Sequence, residues 1–101
     1  MSEVSGSMDD SWYVYMVCCR DDSLYTGISN NLARRVEEHN SHKAGAKYTK
    51  SRRPVRLVYY EKVSSRSEAL RREYKIKKQP CGAKRALVAS FQGAFSDGVL
   101  L

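Results

Sequence analysis

Two short runs of strand-forming residues, separated by a short polar turn, constrain the fold of this chain more than any other feature. The first run covers residues 12–19 and is rich in aromatic and β-branched residues; the second covers residues 24–28 and follows Arg20-Asp21-Asp22. Such compositions favour strands, and a short polar turn between two of them favours a β-hairpin. We therefore predict that the fold begins with an antiparallel hairpin.

The rest of the chain predicts helices and one further strand around this hairpin. Asn30 and Asn31 are candidate N-caps, and Ser65-Arg66-Ser67-Glu68 matches a capping box. In chain order, the predicted elements after the hairpin are a helix over residues 32–39, a loop over 40–54, a strand over 55–63, a helix from 65 to 79 and a short helix over 83–90. The predicted fold class is α+β: a small three-stranded antiparallel sheet flanked by helices, in the order β-β-α-β-α-α.

This predicted domain covers residues 11–90. Residues 1–10 are small, polar and acidic and predict a flexible N-terminal tail, and residues 91–101 predict a C-terminal tail. A chain of 101 residues is close to the common size of one domain. We therefore expect one modest core with little room for a second site.

The positive charge is concentrated in one part of the chain. Seventeen of the eighteen Lys and Arg residues but only five of the eleven acids lie between Arg34 and Arg85, which gives this segment a net charge of +12. Such a distribution is typical of a protein that binds a polyanion. The competing interpretation is a basic surface that only confers solubility.

The cysteines and the hydropathy indicate a cellular compartment. Cys18, Cys19 and Cys81 form no CxxC pair and no zinc-finger spacing, and their odd number suggests reduced thiols. No apolar run approaches the ~20 residues of a membrane span. The sequence therefore predicts a soluble cytoplasmic protein.

A pair of tyrosines in the hairpin is the first candidate for chemistry. With a three-residue loop, Tyr15 pairs with Gly27 and Val17 pairs with Tyr25, so both tyrosines lie on one face beside a glycine that leaves space for a ligand. A loop of two or four residues would separate them, because a one-residue slip turns every side chain to the other face. The alternative is that these tyrosines only pack.

Two further candidates lie on the predicted first helix. Leu32, Arg35, Val36 and His39 follow the i, i+3, i+4, i+7 spacing, so Arg35 and His39 flank an apolar stripe that faces the sheet. A guanidinium at this position can bind a phosphate with two hydrogen bonds. In the alternative interpretation, Arg35 is a long side chain that extends to solvent.

An acidic residue interrupts the apolar face of the predicted second helix. Ala69, Leu70, Glu73 and Ile76 share this face, and burying a carboxylate costs several kcal/mol unless it is paired or binds a metal. The helix also carries many basic residues, so a structural salt bridge competes with a metal site. Glu68, in contrast, is explained by the cap. The sequence contains no Ser/His/Asp arrangement, no Walker-type loop and no paired acidic cluster, and His39 and His42 alone are a weak metal signal.

Four segments together match one known family. They are Tyr13-Val14-Tyr15, Tyr25-Thr26-Gly27, residues 31–40 and residues 68–73. The chain resembles the GIY-YIG nuclease superfamily, especially its small stand-alone members, over about residues 11–90. Tyr13 replaces the first glycine of that family and Thr26 replaces its isoleucine, and neither change removes a polar catalytic group.

The resemblance implies a mechanism. The essential arginine of the family falls on Arg35 and its metal-binding glutamate falls on Glu73, which would hold Mg²⁺ or Mn²⁺ with water. Arg35 would neutralise charge on the scissile phosphate. Tyr15 or Tyr25 would help to deprotonate the attacking water, although a free tyrosine, with a pKa of about 10, is a weak base at neutral pH. Whether His39 assists is left open.

The predicted function is therefore a metal-dependent endonuclease that hydrolyses phosphodiester bonds in DNA, with structured or branched DNA and a role in DNA repair as candidates. The residues expected to contact nucleic acid are Lys43, Lys47, Lys50, Arg52, Arg53 and Arg72. The main alternative is a non-catalytic nucleic-acid-binding module on a degenerate nuclease fold. A third is an adaptor that binds another protein.

Overall fold

The computed structural model describes residues 11–41 and 47–94. The described residues form strands β1 (Trp12–Cys18), β2 (Leu24–Ser29) and β3 (Arg56–Val63) and helices α1 (Leu32–Asn40), α2 (Lys47–Lys50), α3 (Arg66–Lys77) and α4 (Cys81–Ala94). The predicted α+β class and three-stranded antiparallel sheet are confirmed. The one-turn helix α2 lies within the segment predicted as a loop.

The sheet has the order β2-β1-β3, with β1 in the centre and both pairings antiparallel. The hairpin turn is the predicted three-residue loop, because the Cys19 amide donates to the Ser23 carbonyl over 2.8 Å. Asp22 completes this turn with a positive φ of 71°. The register pairs Tyr15 with Gly27, as predicted.

Both faces of β1 are buried. Val14, Met16 and Cys18 form one cluster, which α3 covers with Ala69 and α4 covers with Leu87. Tyr15, Val17 and Cys19 form the other cluster, which Leu32 and Val36 of α1 cover. The core is thus divided by the sheet, and the Tyr15 face is the one that carries the candidate site.

Several predicted boundaries differ from the structure. Helix α4 begins at Cys81 and continues to Ala94, so the predicted start of the C-terminal tail at residue 91 lies inside a helix. The reason is a tertiary contact: the ring of Phe91 packs 5.4 Å from that of Tyr59 and 5.2 Å from that of Tyr60, between centroids. The predicted tail over residues 1–10 and the remainder of the C-terminal tail lie outside the described residues. None of the helices described is long and apolar enough to cross a membrane.

Candidate active site

The hydroxyl of Tyr15 is the centre of a buried hydrogen-bond network. It lies 2.8 Å from Nε2 of His39, and it accepts a hydrogen bond of 3.4 Å from Nε of Arg35. Tyr15 has no exposed surface and His39 has 1%. The hairpin and the first helix thus bring together three of the predicted site residues.

His39 also binds a residue that the sequence did not indicate. Its Nδ1 lies 2.8 Å from Oγ1 of Thr49, which is completely buried. The side chain of Asn40, the last residue of α1, bonds both backbone groups of Val55, over 2.7 and 3.0 Å, and so closes the segment that carries Thr49. Thr49 lies in a stretch of polar residues without periodicity, so nothing in the pattern singled it out.

Burial keeps the imidazole of His39 neutral. It lowers the pKa of His39 to about 4; the nearby charge of Arg35 lowers it further and that of Glu38 raises it. A neutral imidazole has one donor and one acceptor nitrogen. If Tyr15 donates to Nε2, Nδ1 donates to Thr49; if Thr49 donates to Nδ1, Nε2 donates to Tyr15.

Burial also raises the pKa of Tyr15, to about 12. Arg35 opposes this rise through its hydrogen bond and its charge, whereas the charges of Tyr25 and Glu73 add to it. A terminal nitrogen of the Arg35 guanidinium donates to the Glu38 carboxylate over 3.1 Å, so the group is held at both ends. Desolvation therefore keeps Tyr15 protonated, and Arg35 is the side chain that counteracts it.

Tyr25 lies on the same face, as predicted. Its ring centroid is 6.5 Å from that of Tyr15 and 5.3 Å from that of His39. Tyr25 is partly exposed, whereas Tyr15 is buried. Of the two tyrosines, Tyr25 therefore has the better access to solvent.

Gly27 has a different role from the one predicted. A Cβ atom at this position would lie 2.7 Å from the hydroxyl oxygen of Tyr15 and 2.9 Å from its Cζ. The space above the glycine is filled by the Tyr15 ring and does not leave room for a ligand. Gly27 is required because the phenol of its strand partner crosses its backbone.

Glu73 lies near this network but outside its hydrogen bonds. Its carboxylate is close enough to Tyr15 to affect the pKa of the phenol, but it forms an ion pair of 3.2 Å with Lys77. Its side chain is 18% exposed. Ala69 and Ile76 are buried as predicted, but Leu70 is 39% exposed, because the apolar face of α3 is narrower than the spacing suggested.

The donor set around Glu73 limits which metal ions could bind. Over residues 11–41 and 47–94, no three His, Cys, Asp or Glu side chains are grouped closely enough to hold a metal ion. A site built from several protein ligands, as zinc requires, is therefore not formed by these residues. One carboxylate fits a hard cation such as Mg²⁺, which keeps most of its waters and binds substrate phosphates.

The predicted nucleic-acid-binding residues differ in how much of them the structure describes and in whether they already bond within the fold. Lys43 lies outside the described residues, and of Lys47 only the backbone is described, in α2. Lys50 is exposed. Arg52 forms an ion pair of 3.1 Å with Asp21 on the hairpin turn, and Arg53 donates to the Ser41 carbonyl over 2.7 Å.

Arg72 is occupied by a partner within the fold. Its Nε and one terminal nitrogen each donate over 2.8 Å to the carboxylate of Glu61, which also accepts from the hydroxyl of Tyr59. Glu61 raises the pKa of Arg72 further above its usual range. This two-pronged pair links α3 to β3, and it gives Arg72 a structural role.

The comparisons with known proteins agree with this architecture. The family model described as the GIY-YIG catalytic domain matches residues 11–81. The chain belongs to the GIY-YIG family. The resemblance noted from the motifs is thereby confirmed. The family is one of nucleases.

Relatives with similar sequences are small proteins of the same kind. The chain is 55% identical to a UPF0213 protein of Desulfotalea psychrophila over 86 residues, which cover 85% of this chain and 78% of that protein. It is 63% identical to a UPF0213 protein of Staphylococcus haemolyticus over 65 residues, or 64% of this chain and 78% of that one. The solution NMR structure of the UPF0213 protein BH0048 from Bacillus halodurans matches with a TM-score of 0.57 at 39% identity, covering 88% of this chain and 94% of that one.

Within this GIY-YIG domain, the two motifs occupy neighbouring strands. Tyr15, the last residue of the first motif, pairs directly with Gly27, the last residue of the second. Tyr13 stands where the family has its first glycine and lies on the same face as Tyr15. The substitution therefore adds a ring next to the network without removing any of its hydrogen bonds.

Proposed function

We propose that this GIY-YIG domain is a metal-dependent endonuclease that hydrolyses phosphodiester bonds in DNA, structured or branched DNA included. The observation that supports this most is the hydrogen-bonded set of Tyr15, His39 and Arg35 next to Tyr25. Nucleic-acid binding alone needs basic and aromatic surface, whereas burying a phenol, an imidazole and part of a guanidinium costs free energy. A catalytic role gives a reason for that cost.

Arg35 is assigned the stabilisation of charge on the scissile phosphate. Hydrogen bonds to Tyr15 and Glu38 hold the guanidinium in place before the substrate binds, so little reorganisation is needed during the reaction. An arginine fixed in this way also presents a planar set of donors, which matches two phosphate oxygens.

The two tyrosines are assigned different roles. Tyr25, the more exposed of the two, contacts the attacking water; its hydroxyl passes its own proton to solvent and takes up the proton of that water. Tyr15, fully buried, positions Arg35 and His39. When Thr49 donates to Nδ1, both His39 and Arg35 donate to the Tyr15 oxygen, which fixes the positions of both side chains.

Glu73 is the residue assigned to hold the cation. A bound Mg²⁺ or Mn²⁺ would supply positive charge that lowers the pKa of coordinated water and offsets the charge on the phosphate. Lys77, the present ion-pair partner of Glu73, is on the exposed surface and can move aside at small cost.

The experiment is a cleavage assay. The purified protein is incubated with end-labelled duplex, branched, single-stranded DNA and RNA of matched sequence, in Mg²⁺ and in EDTA. We expect cleavage of DNA in Mg²⁺ and none in EDTA. Equal cleavage in EDTA would contradict the metal requirement. Cleavage of RNA alone would contradict the proposal that the substrate is DNA.

The ion pair between Glu73 and Lys77 favours a second candidate function, a non-catalytic nucleic-acid-binding module. In this case Glu73 only stabilises α3, and the basic segment binds nucleic acid without cleaving it. Salt-sensitive binding of DNA, with no cleavage of any of these substrates, would favour this candidate over the endonuclease.

A further inference from the structure

A cavity of about 410 Å³ lies beside the candidate active site, between β1, β3 and the first turn of α1. Tyr13 and Tyr60 line it on the sheet side, and Asn31 and Ala33 line it on the helix side. Its volume falls within the range of small-molecule sites in proteins, roughly 300–1,000 Å³. None of the roles assigned to the catalytic side chains involves this cavity.

The sheet side of the cavity is aromatic and held in place. The rings of Tyr13 and Tyr60 pack edge to face, with centroids 6.0 Å apart and an interplanar angle of 78°. Phe91 of α4 packs edge to face against Tyr60, with ring centroids 5.2 Å apart. Rigid aromatic side chains of this kind are the usual platforms for unpaired nucleobases, because every base has a π-face.

The rim of the cavity carries groups that complement a nucleotide. Asn30 and Asn31 bring carboxamides, which can hydrogen-bond to the edges of bases. Lys62, exposed on β3, brings a positive charge suited to a phosphate. Asn31 is already oriented, because its side-chain oxygen accepts from the Arg34 amide at the start of α1.

The cavity adjoins the network around Tyr15. Tyr13 and Tyr15 are next neighbours on one face of β1, roughly 7 Å apart along the strand. Tyr60 is the direct partner of Tyr15 on β3, and both Tyr60 and Leu32 pack against the cluster that contains Tyr15. A nucleotide whose base occupies the cavity would therefore have its phosphate close to the assigned catalytic groups.

We propose that this cavity binds the base of one unpaired nucleotide next to the cleaved phosphate. This inference rests on the proposed endonuclease function and defines its substrate class: DNA with a single-stranded segment, or with one extruded nucleotide, at the position of cleavage. A continuous, fully paired duplex lacks a free base for the cavity and is a poor substrate.

The test uses DNA that carries the fluorescent adenine analogue 2-aminopurine as a single unpaired nucleotide within a duplex. A matched duplex with the same analogue paired serves as the control. Binding is measured in EDTA, where it does not depend on cleavage, and cleavage of the same two DNAs is measured separately in Mg²⁺. We expect the wild-type protein to quench the unpaired analogue by stacking and to leave the paired one unchanged.

Three variants separate stacking from folding. Tyr13→Phe keeps the ring and should preserve quenching. Tyr13→Leu should abolish quenching and weaken binding of the unpaired DNA about 5- to 150-fold, the range expected when one base has no aromatic ring to stack on. Ala33→Met fills the cavity from an exposed position on α1. It should abolish quenching and weaken binding as Tyr13→Leu does, although neither tyrosine is substituted. Thermal melting confirms that each variant is folded.

The outcomes for the cavity and for the nuclease are distinct. Quenching in EDTA that Ala33→Met abolishes supports the base-binding cavity, even if no DNA is cleaved in Mg²⁺. Absence of quenching, or equal loss of binding to paired and unpaired DNA in Tyr13→Leu and Ala33→Met, overturns it, even if cleavage is observed.

Discussion

The hydroxyl of Tyr15 and Nε2 of His39 lie 2.8 Å apart, at a place where neither side chain is more than 1% exposed. One residue belongs to the central strand and the other to the first helix, so their contact joins the sheet to α1 through a polar bond. Because a buried polar group without a partner costs about 1–3 kcal/mol, each residue stabilises the position of the other. Substitutions around this bond should therefore affect both the stability of the protein and its catalysis.

Gly27→Ala should destabilise the protein and disrupt the site. The added methyl would lie 2.7 Å from the Tyr15 hydroxyl, so the ring must shift, which disturbs its hydrogen bond with His39. We expect a loss of about 1–3 kcal/mol in the free energy of unfolding, measured in urea, and a loss of cleavage. Gly82→Ala is the matched control: apart from its chain neighbours and the backbone of its own helix, nothing lies within 4 Å of the added Cβ, and this exposed position in the first turn of α4 should change stability by less than about 1 kcal/mol. Equal effects of the two substitutions would refute this role of Gly27.

Substitutions of Tyr25 and Tyr15 should have different effects on cleavage and on stability. Tyr25→Phe removes the proposed base and should lower cleavage by about 10²- to 10⁴-fold with little change in melting temperature. Tyr15→Phe leaves buried partners without their hydrogen bond, so it should reduce stability by about 1–3 kcal/mol as well as cleavage. Tyr74→Phe, at a tyrosine that is 63% exposed on α3, should change neither quantity. A reversed pattern, with Tyr25 controlling stability, would exchange the two assignments.

Stability should fall as the pH is lowered from 7 to 5, because of His39. Its pKa is about 4 in the folded protein and about 6.5 in the unfolded chain. The unfolded state therefore takes up the proton first, so the contribution of His39 is complete above pH 6.5 and decreases as the pH falls towards 4. Between pH 7 and 5 we expect a loss of about 2 kcal/mol in urea unfolding. His39→Gln should abolish most of this dependence, and an unchanged slope in that variant would assign the effect to other groups.

Glu73→Gln tests whether the carboxylate binds a cation. The variant should fold normally and bind DNA at least as well as the wild type, because a negative charge near the phosphates is removed. Cleavage should fall by orders of magnitude and respond weakly to added Mg²⁺.

Lys77→Gln is the control for the ion-pair alternative to this role of Glu73. It breaks the same ion pair but keeps the carboxylate, so it should preserve cleavage and cost no more than about 0.5 kcal/mol. If both variants lose the same stability and cleavage per folded molecule survives in each, Glu73 has only a structural role.

The lysines between α1 and β3 should dominate the salt dependence of DNA binding. The triple variant Lys43→Gln, Lys47→Gln, Lys50→Gln should flatten the log–log slope of affinity against salt by roughly 0.9 for each phosphate that is no longer neutralised. Arg52 and Arg53 are left in place, because both bond within the fold. The same neutralisation at Lys75, Lys78 and Lys84 should leave the slope nearly unchanged. A larger effect of the second set would move the DNA surface to α3 and α4.

Much of the candidate site could be predicted because it depends on local rules. The three-residue turn determines the register of the hairpin, and strand alternation then places Tyr15 and Tyr25 on one face. Helical spacing brings Arg35 and His39 to the side of α1 that faces this strand. The cap at Ser65 was also predicted: its hydroxyl accepts from the Glu68 amide over 3.1 Å.

The sequence by itself thus determined the three strands, three of the four described helices and the faces on which the site residues lie, because turns, caps and periodicity depend on neighbours along the chain. Only the tertiary structure decided that Thr49 binds His39, that Glu61 holds Arg72 and that the Tyr15 ring fills the space above Gly27. These contacts join residues distant in sequence, whose pairing depends on how the layers pack. The pKa values of Tyr15 and His39 follow from the same packing, since their largest cause is the loss of water around each group.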